Sequence, residues 1–339
     1  MFSGFGQVIG AGAVALSLAG PVAAASVADQ YSSYWALGDS LSDDGNLPGL
    51  VYDFATQGVS STQTGTNAYY RGRFSNGPTW AEYLEDEFAA AGKPNDNLAI
   101  GGSEAAEPQS LLDPTPGLEY QKNRLVDDHA GQFGASPLVS ILSGANDLLQ
   151  GVASANPAAI AVAAADAVTD TARFLAGHGV RDFVIGNIPD LGKVPRFAML
   201  APGDVQAAHD STVAFNTRLS ANIGDMRAGG LNVTVLDLWG ILTDMRAAPQ
   251  NYGLTDTTRP CLYPTADAAA LFGEAQQCSN DQALTRLFFD PVHPSAVVHQ
   301  TAGEQIIAAL TIAPVPLPGG LVLLWGGLAG FGLLRRRPS

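Results

Sequence analysis

Four polar points in this chain carry the residue types that acyl transfer requires. The first is Ser40, in Gly38-Asp39-Ser40-Leu41-Ser42-Asp43-Asp44-Gly45-Asn46, where small turn-forming residues follow an apolar run. A serine hydroxyl exposed at such a strand end is placed to act as a nucleophile. The second is Asp290-Pro291-Val292-His293-Pro294. A carboxylate three residues before a histidine, held between prolines, can reach the imidazole, fix its tautomer and stabilise the imidazolium. The third, Gly101-Gly102-Ser103, allows close backbone approach and offers free N–H groups. The fourth, Gly144-Ala145-Asn146-Asp147, puts a side-chain amide beyond another apolar run. Together they supply a nucleophile, a base with its orienting acid, and donors for an oxyanion. The chain contains no G-x-S-x-G elbow, so the usual α/β-hydrolase pattern does not apply.

These points need elements to hold them. Tyr34–Gly38, Asn97–Gly101, Leu138–Ser143, Phe183–Gly186 and Val233–Leu238 are short apolar runs that read as strands. Between them, Pro78–Ala91, Ala158–His178, Asp204–Arg227 and Pro294–Leu310 show helical spacing, with Pro294 suited to a first helical position. Alternating strands and helices, with strands too apolar to be half solvated, predict a parallel sheet covered on both faces. Ligands in such folds bind beyond the carboxyl ends of the strands, where the polar points fall. Gly49–Asn76 is a long irregular stretch of the kind that often forms a binding loop or lid. Tyr69, Tyr70, Phe74 and Trp80, in and beside it, are expected to line an apolar acyl or aryl site.

In order, GDSLSDDGN, NLAIGGS, GAND and DPVHP resemble the four conserved blocks of the GDSL or SGNH hydrolase family. The resemblance runs from about Tyr34 to Leu310. It implies an α/β fold, a three-layer α/β/α sandwich with a central parallel, flavodoxin-like sheet, hosting esterases, lipases and related acyl hydrolases. Carried over, it makes Ser40 the nucleophile and an oxyanion donor through its own N–H. Gly102 supplies a second N–H, counted from Asn97, with the adjacent Gly101 as the alternative, and Asn146 supplies the side-chain donor. His293 becomes the general base and Asp290 its partner, and no metal or organic cofactor is implied. Arg73–Trp80, and Cys278-Ser279-Asn280 ahead of Phe288-Phe289-Asp290, resemble the larger secreted esterases of the family. Asp43, Asp44 and Asp147 read as turn or capping residues, and His129, His178, His209 and His299 as solvated or structural.

Composition excludes other classes. The 339 residues carry 17 Lys+Arg against 32 Asp+Glu, a net charge of −15, which gives no basic surface for nucleic acid. Apolar residues at 46% suffice for a large core. No charge lies before Asp29 or between Gln305 and Leu334. Val8–Ala25, closing on Ala23-x-Ala25, reads as a signal peptide over residues 1–25, although no basic residue precedes Arg71. At the other end Leu317–Leu334 is about long enough to cross a membrane, and Arg335–Arg337 behind it would stay cytoplasmic. Val315–Pro318, the apolar span and the arginines resemble a VPLPA-type (PEP-CTERM) sorting signal over residues 314–339, with Gly319 where that motif has Ala. The expectation is a leader, one hydrolase domain over residues 26–313, and a tail. Signal peptidase and an exosortase-like enzyme are the expected processing partners. The product would then be periplasmic, surface-attached or extracellular.

In an exported protein, Cys261 and Cys278 are expected to pair and brace the segment that delivers Asp290 and His293. A loop of that size stabilises by roughly 3 kcal/mol in the chain-entropy model. The aromatic residues favour a lipase or carboxylesterase. A polysaccharide O-acetylesterase and a catalytically silent surface or matrix-binding protein are the alternatives.

Overall fold

Residues 33–38 and 137–142 are buried along their whole length, which only a strand covered on both faces can be. In the computed structural model, which describes residues 26–47, 68–106, 116–198, 201–263, 269–270 and 273–311, they form the centre of one sheet. Its strands are β1 (Ser33–Gly38), β2 (Asn95–Asn97), β3 (Pro137–Leu142), β4 (Asp182–Gly186) and β5 (Asn232–Leu236). The order is β2-β1-β3-β4-β5 and every pairing is parallel. The direction of winding reverses at β1, so the crevice between the ends of β1 and β3 is the topological switch point.

Seven helices longer than one turn flank the sheet among the described residues: α1 (Trp80–Ala90), α2 (Leu118–His129), α3 (Ala145–Gly151), α4 (Pro157–Gly177), α5 (Pro202–Ala228), α6 (Leu238–Ala247) and α7 (Ala296–Leu310). Helix α7 packs on α1 and α6, whereas α4 packs on α2, α3 and α5. The sheet lies between these two layers in a three-layer α/β/α sandwich. Pro157 starts α4 with no N–H to satisfy, and Asn156 caps it by accepting from Ala159 N at 3.2 Å. The buried face of α4 is built on Ala161, Ala164, Ala165 and Ala172, small residues that let α5 approach closely.

Several boundaries differ from those the sequence predicts. Regular pairing of β2 stops at Asn97, where the apolar run begins, because the Asn97 side chain takes the Ala99 N–H at 3.0 Å. Leu98 and Ile100 still donate to Ala36 and Gly38 carbonyls, so the run follows β1 as far as the glycine pair. Strand β5 ends at Leu236, since Asp237 caps α6 by accepting from Gly240 N. Pro294 precedes α7 rather than opening it: Ser295 is the extended cap, and its N–H donates to the Leu287 carbonyl. Helices α2 and α6 fall outside the predicted helical stretches, and α3 is the helix that Asp147 is expected to cap. The leader, the sorting tail and residues 48–67 of the irregular stretch lie outside the described residues. Among the described residues no helix is long and apolar enough to cross a membrane.

Candidate active site

The turn after β1 is set by a close backbone approach. Gly38 has φ +154°, and a Cβ there would lie 2.2 Å from the Leu142 carbonyl oxygen of β3, so no larger residue fits. Asp39 N then donates to that carbonyl, and Ser42 and Asp43 N–H groups return to Asp39 O at 3.0 Å. This one-turn coil presents Ser40 at the switch point.

Ser40 Oγ lies 2.8 Å from His293 Nε2, and His293 Nδ1 lies 2.7 Å from Asp290 Oδ2. The other Asp290 oxygen accepts from the Val292 and His293 backbone N–H groups at 2.8 and 2.7 Å. The two prolines thus frame a turn closed on its own carboxylate. Burial alone would raise the Asp290 pKa. The His293 ring, these hydrogen bonds and the Tyr69 hydroxyl outweigh it and hold the carboxyl below its ordinary range. The disulfide between Cys261 and Cys278 sits directly beneath: Cys261 N and Leu262 N donate to Phe288 O and Phe289 O, just ahead of Asp290.

The two candidate glycines are distinguished by their hydrogen bonds. Gly101 N–H is taken by Asp43 Oδ2 at 2.7 Å. Gly102 is exposed, has φ +83°, and its N–H meets no acceptor among the described residues, which leaves it available to an incoming oxyanion. Asn146 Nδ2 donates one hydrogen to Ser103 O at 2.9 Å, leaving its second hydrogen over the cleft that Ser40 also lines. Asp147, buried in the first turn of α3, accepts from Ala105 N and Ala106 N at 2.8 and 2.9 Å, and burial pushes its carboxyl up to about 6. The glycine loop is therefore tied to the Ser40 turn by Asp43 and to the Asn146 helix by Asp147. Both carboxylates, which the sequence offers as turn or cap residues, thus reach across to another loop. Gln121 of α2 belongs to no motif of the sequence. Its amide accepts from Gly38 N and donates to Gly38 O, both at 2.8 Å, and so pins the end of β1.

Of the four aromatics expected to meet substrate, none is among the residues that line the cleft beside Ser40. Tyr69 is buried and donates its hydroxyl to Asp290 Oδ2 at 2.7 Å. The Phe74 ring packs 5.0 Å from the His293 ring. Trp80 is buried with Nε1 donating to Ser42 Oγ, and Tyr70 is half-buried beneath the Arg71 and Arg73 guanidiniums. Tyr69 and Phe74 thus contact Asp290 and His293 directly, and Trp80 contacts the turn that carries Ser40. The cleft itself, about 450 Å³ with its mouth, is walled by Leu149, Leu191, Val194, Leu242, Phe288 and Val292. Beside Ser40 it also meets Asp39, a buried carboxyl that burial raises to about 7. Asp39 Oδ1 accepts from Leu41 N, and Oδ2 has no partner among the described residues. Among these residues no cluster of His, Cys, Asp or Glu could hold a metal ion. His299 lies buried behind the site, accepting from Trp80 N on Nδ1, and burial followed by the His293 charge lowers it to about 3.

Residues 34–306 match the family model described as GDSL-like Lipase/Acylhydrolase. The thermolabile hemolysin of Vibrio parahaemolyticus is 25% identical over 290 residues, covering 82% of this chain. The match covers 64% of the hemolysin, so the chain spans less than two thirds of that relative's length. The phosphatidylcholine-sterol acyltransferase of Aeromonas hydrophila is 26% identical over 322 residues, covering 84% of this chain and 91% of its own. Phospholipase A1 from Streptomyces albidoflavus NA297 aligns over 82% of this chain and 98% of its own, with TM-score 0.38 and 15% identity.

Proposed function

The chain belongs to the GDSL-like lipase/acylhydrolase family, whose members hydrolyse esters, and we propose that it cleaves carboxylic esters of apolar acyl groups through an acyl-enzyme on Ser40. One observation carries this reading: the unbroken line from Ser40 Oγ through His293 to Asp290, opening on an apolar cleft. Ser40 attacks the ester carbonyl while His293 Nε2 accepts its proton, and Asp290 stabilises the imidazolium that forms. The N–H groups of Ser40 and Gly102 and the Asn146 amide receive the developing oxyanion. His293 returns the proton to the leaving alcohol. It then activates water to release the acid, and neither half-reaction needs a metal or organic cofactor.

An apolar wall suits a lipid or other aliphatic acyl chain better than an acetyl group. The acyltransferase relative, named for phosphatidylcholine and a sterol, supports the same choice. Export is part of the proposal, resting on the apolar leader and on a disulfide that an oxidising compartment would preserve. So is removal of the tail near Val315–Pro318 by a sorting enzyme.

Hydrolysis of p-nitrophenyl butyrate by the purified protein tests the core of the reading. Ser40→Ala should abolish turnover with an unchanged melting curve, and Asn146→Ala should cost on the order of 100-fold in kcat. Full activity in Ser40→Ala refutes the nucleophile. Exclusive action on acetylated xylan, with nothing beyond butyrate among simple esters, replaces lipid esters with polysaccharide O-acetyl groups.

A further inference from the structure

The apolar cleft beside Ser40 shares one wall with a second, narrower pocket. Leu41, Pro189, Leu242 and Pro294 line both. That second pocket runs between α1, α6 and α7, with Trp80, Leu238, Val298, His299 and Ala302 completing its lining. Three of the four shared residues are fixed by other duties. Leu41 follows the nucleophile, Pro294 closes the His293 turn, and Pro189 lies in the connection after β4. Leu242 alone stands on a regular helix, α6, outside the segments that carry Ser40, Asp290 and His293.

We infer that Leu242 is the end stop of the acyl site and that the shared wall it completes sets the longest acyl chain the enzyme accepts; this rests on the esterase reading above. An acyl chain bound to Ser40 enters the cleft between the apolar side chains of Leu149, Leu191 and Val194. A chain that ends before the shared wall buries every methylene. A longer one has to fold back or push into a packed wall, and protein interiors do not yield by a methylene without cost. Opening that wall joins the two pockets and gives the chain new apolar volume. The second pocket suits such an extension because its lining is apolar except for His299, whose Nδ1 already accepts from the Trp80 backbone.

The test is a p-nitrophenyl ester series from acetate to palmitate with the wild-type protein, Leu242→Ala and Leu242→Phe. Each kcat/KM is read as a ratio to the same protein's butyrate value. The wild-type series should break at one chain length, falling by about tenfold or more for the next homologue, the scale on which an apolar pocket registers a methylene. Leu242→Ala should move the break to longer chains and raise the ratio for the first excluded ester by about tenfold. Leu242→Phe should move it to shorter chains. If the alanine variant does not fold, the phenylalanine variant decides alone, because it builds up the same wall. A wild-type series without a break up to palmitate, or a break at the same length in a folded variant, overturns the inference while leaving the esterase reading intact. No turnover of any ester by the wild-type protein would overturn that reading instead.

Discussion

Asp290 has its two oxygens divided between tasks. Oδ1 closes the backbone turn that delivers His293, while Oδ2 faces the imidazole and receives a second hydrogen bond from the Tyr69 hydroxyl. That hydroxyl helps keep the carboxyl ionised, so its removal should raise the Asp290 pKa. The Tyr69 ring packs edge-on against Phe289 at 4.9 Å, an arrangement phenylalanine can retain. Tyr69→Phe is therefore expected to remove one hydrogen bond to a charged group, worth about 1.5–3 kcal/mol, and to lower kcat by about tenfold. Undiminished kcat in a folded variant would assign Tyr69 to packing alone. The sequence placed an aromatic cluster near the site, yet which way Tyr69 faces depends on how residues 68–80 pack against the Asp290 turn, and no local pattern encodes that.

Three connections after β1, β2 and β3 bring the proposed oxyanion donors together, and two buried carboxylates hold the middle connection. Asp147 matters more for alignment, since it joins the Gly102 loop to the same helix that carries Asn146. In Asp147→Asn one of the two acceptors becomes an amide NH2 facing a backbone N–H, so either Ala105 or Ala106 loses its partner. The oxyanion exists only after attack, and an interaction made only then affects kcat rather than KM. The variant should lose between about tenfold and 100-fold in kcat, with KM nearly constant, as measured in steady-state kinetics with a soluble ester. A change confined to KM would detach Asp147 from the oxyanion donors. At this scale the sequence was informative about strand ends, because Ser40, Gly101-Gly102 and Asn146 each close an apolar run of a parallel sheet. It was silent where a core-facing position is polar. Helix α2 buries only Leu118, Gln121 and Leu125, and the middle residue spends its amide on Gly38 instead of contributing to an apolar stripe. Asp43 and Asp147 were similarly hidden, since an aspartate near a turn or helix start looks the same whether it caps locally or reaches across to another loop.

Across the whole molecule the acidic surplus behind the net charge of −15 is not confined to solvent. Burial raises Glu85 to about 8, with Asp44 reinforcing the shift and the Asn97 amide opposing it, and raises Asp39 to about 7. Both carboxyls bind a proton more tightly folded than unfolded, where their ordinary values are 4.5 and 3.8. Their contribution to stability is therefore complete below those values and is lost as pH rises through about 7 to 8. His299 acts in the opposite sense: its folded value of about 3 lies below its ordinary 6.5, so its contribution is present above 6.5 and lost as pH falls toward 3. The two tendencies compete in mild acid. Above its ordinary 6.5 His299 is mostly neutral in both states, so the carboxyls dominate the change. The melting temperature should consequently decline between pH 6.5 and 8.5 by several degrees. Glu85→Gln keeps an oxygen acceptor for Asn97 while removing the charge, so its decline should be clearly shallower and its Tm at pH 8.5 higher than that of the wild-type protein. Calorimetry of both proteins across that range is the measurement, and parallel curves for the two would show that Glu85 does not carry the dependence.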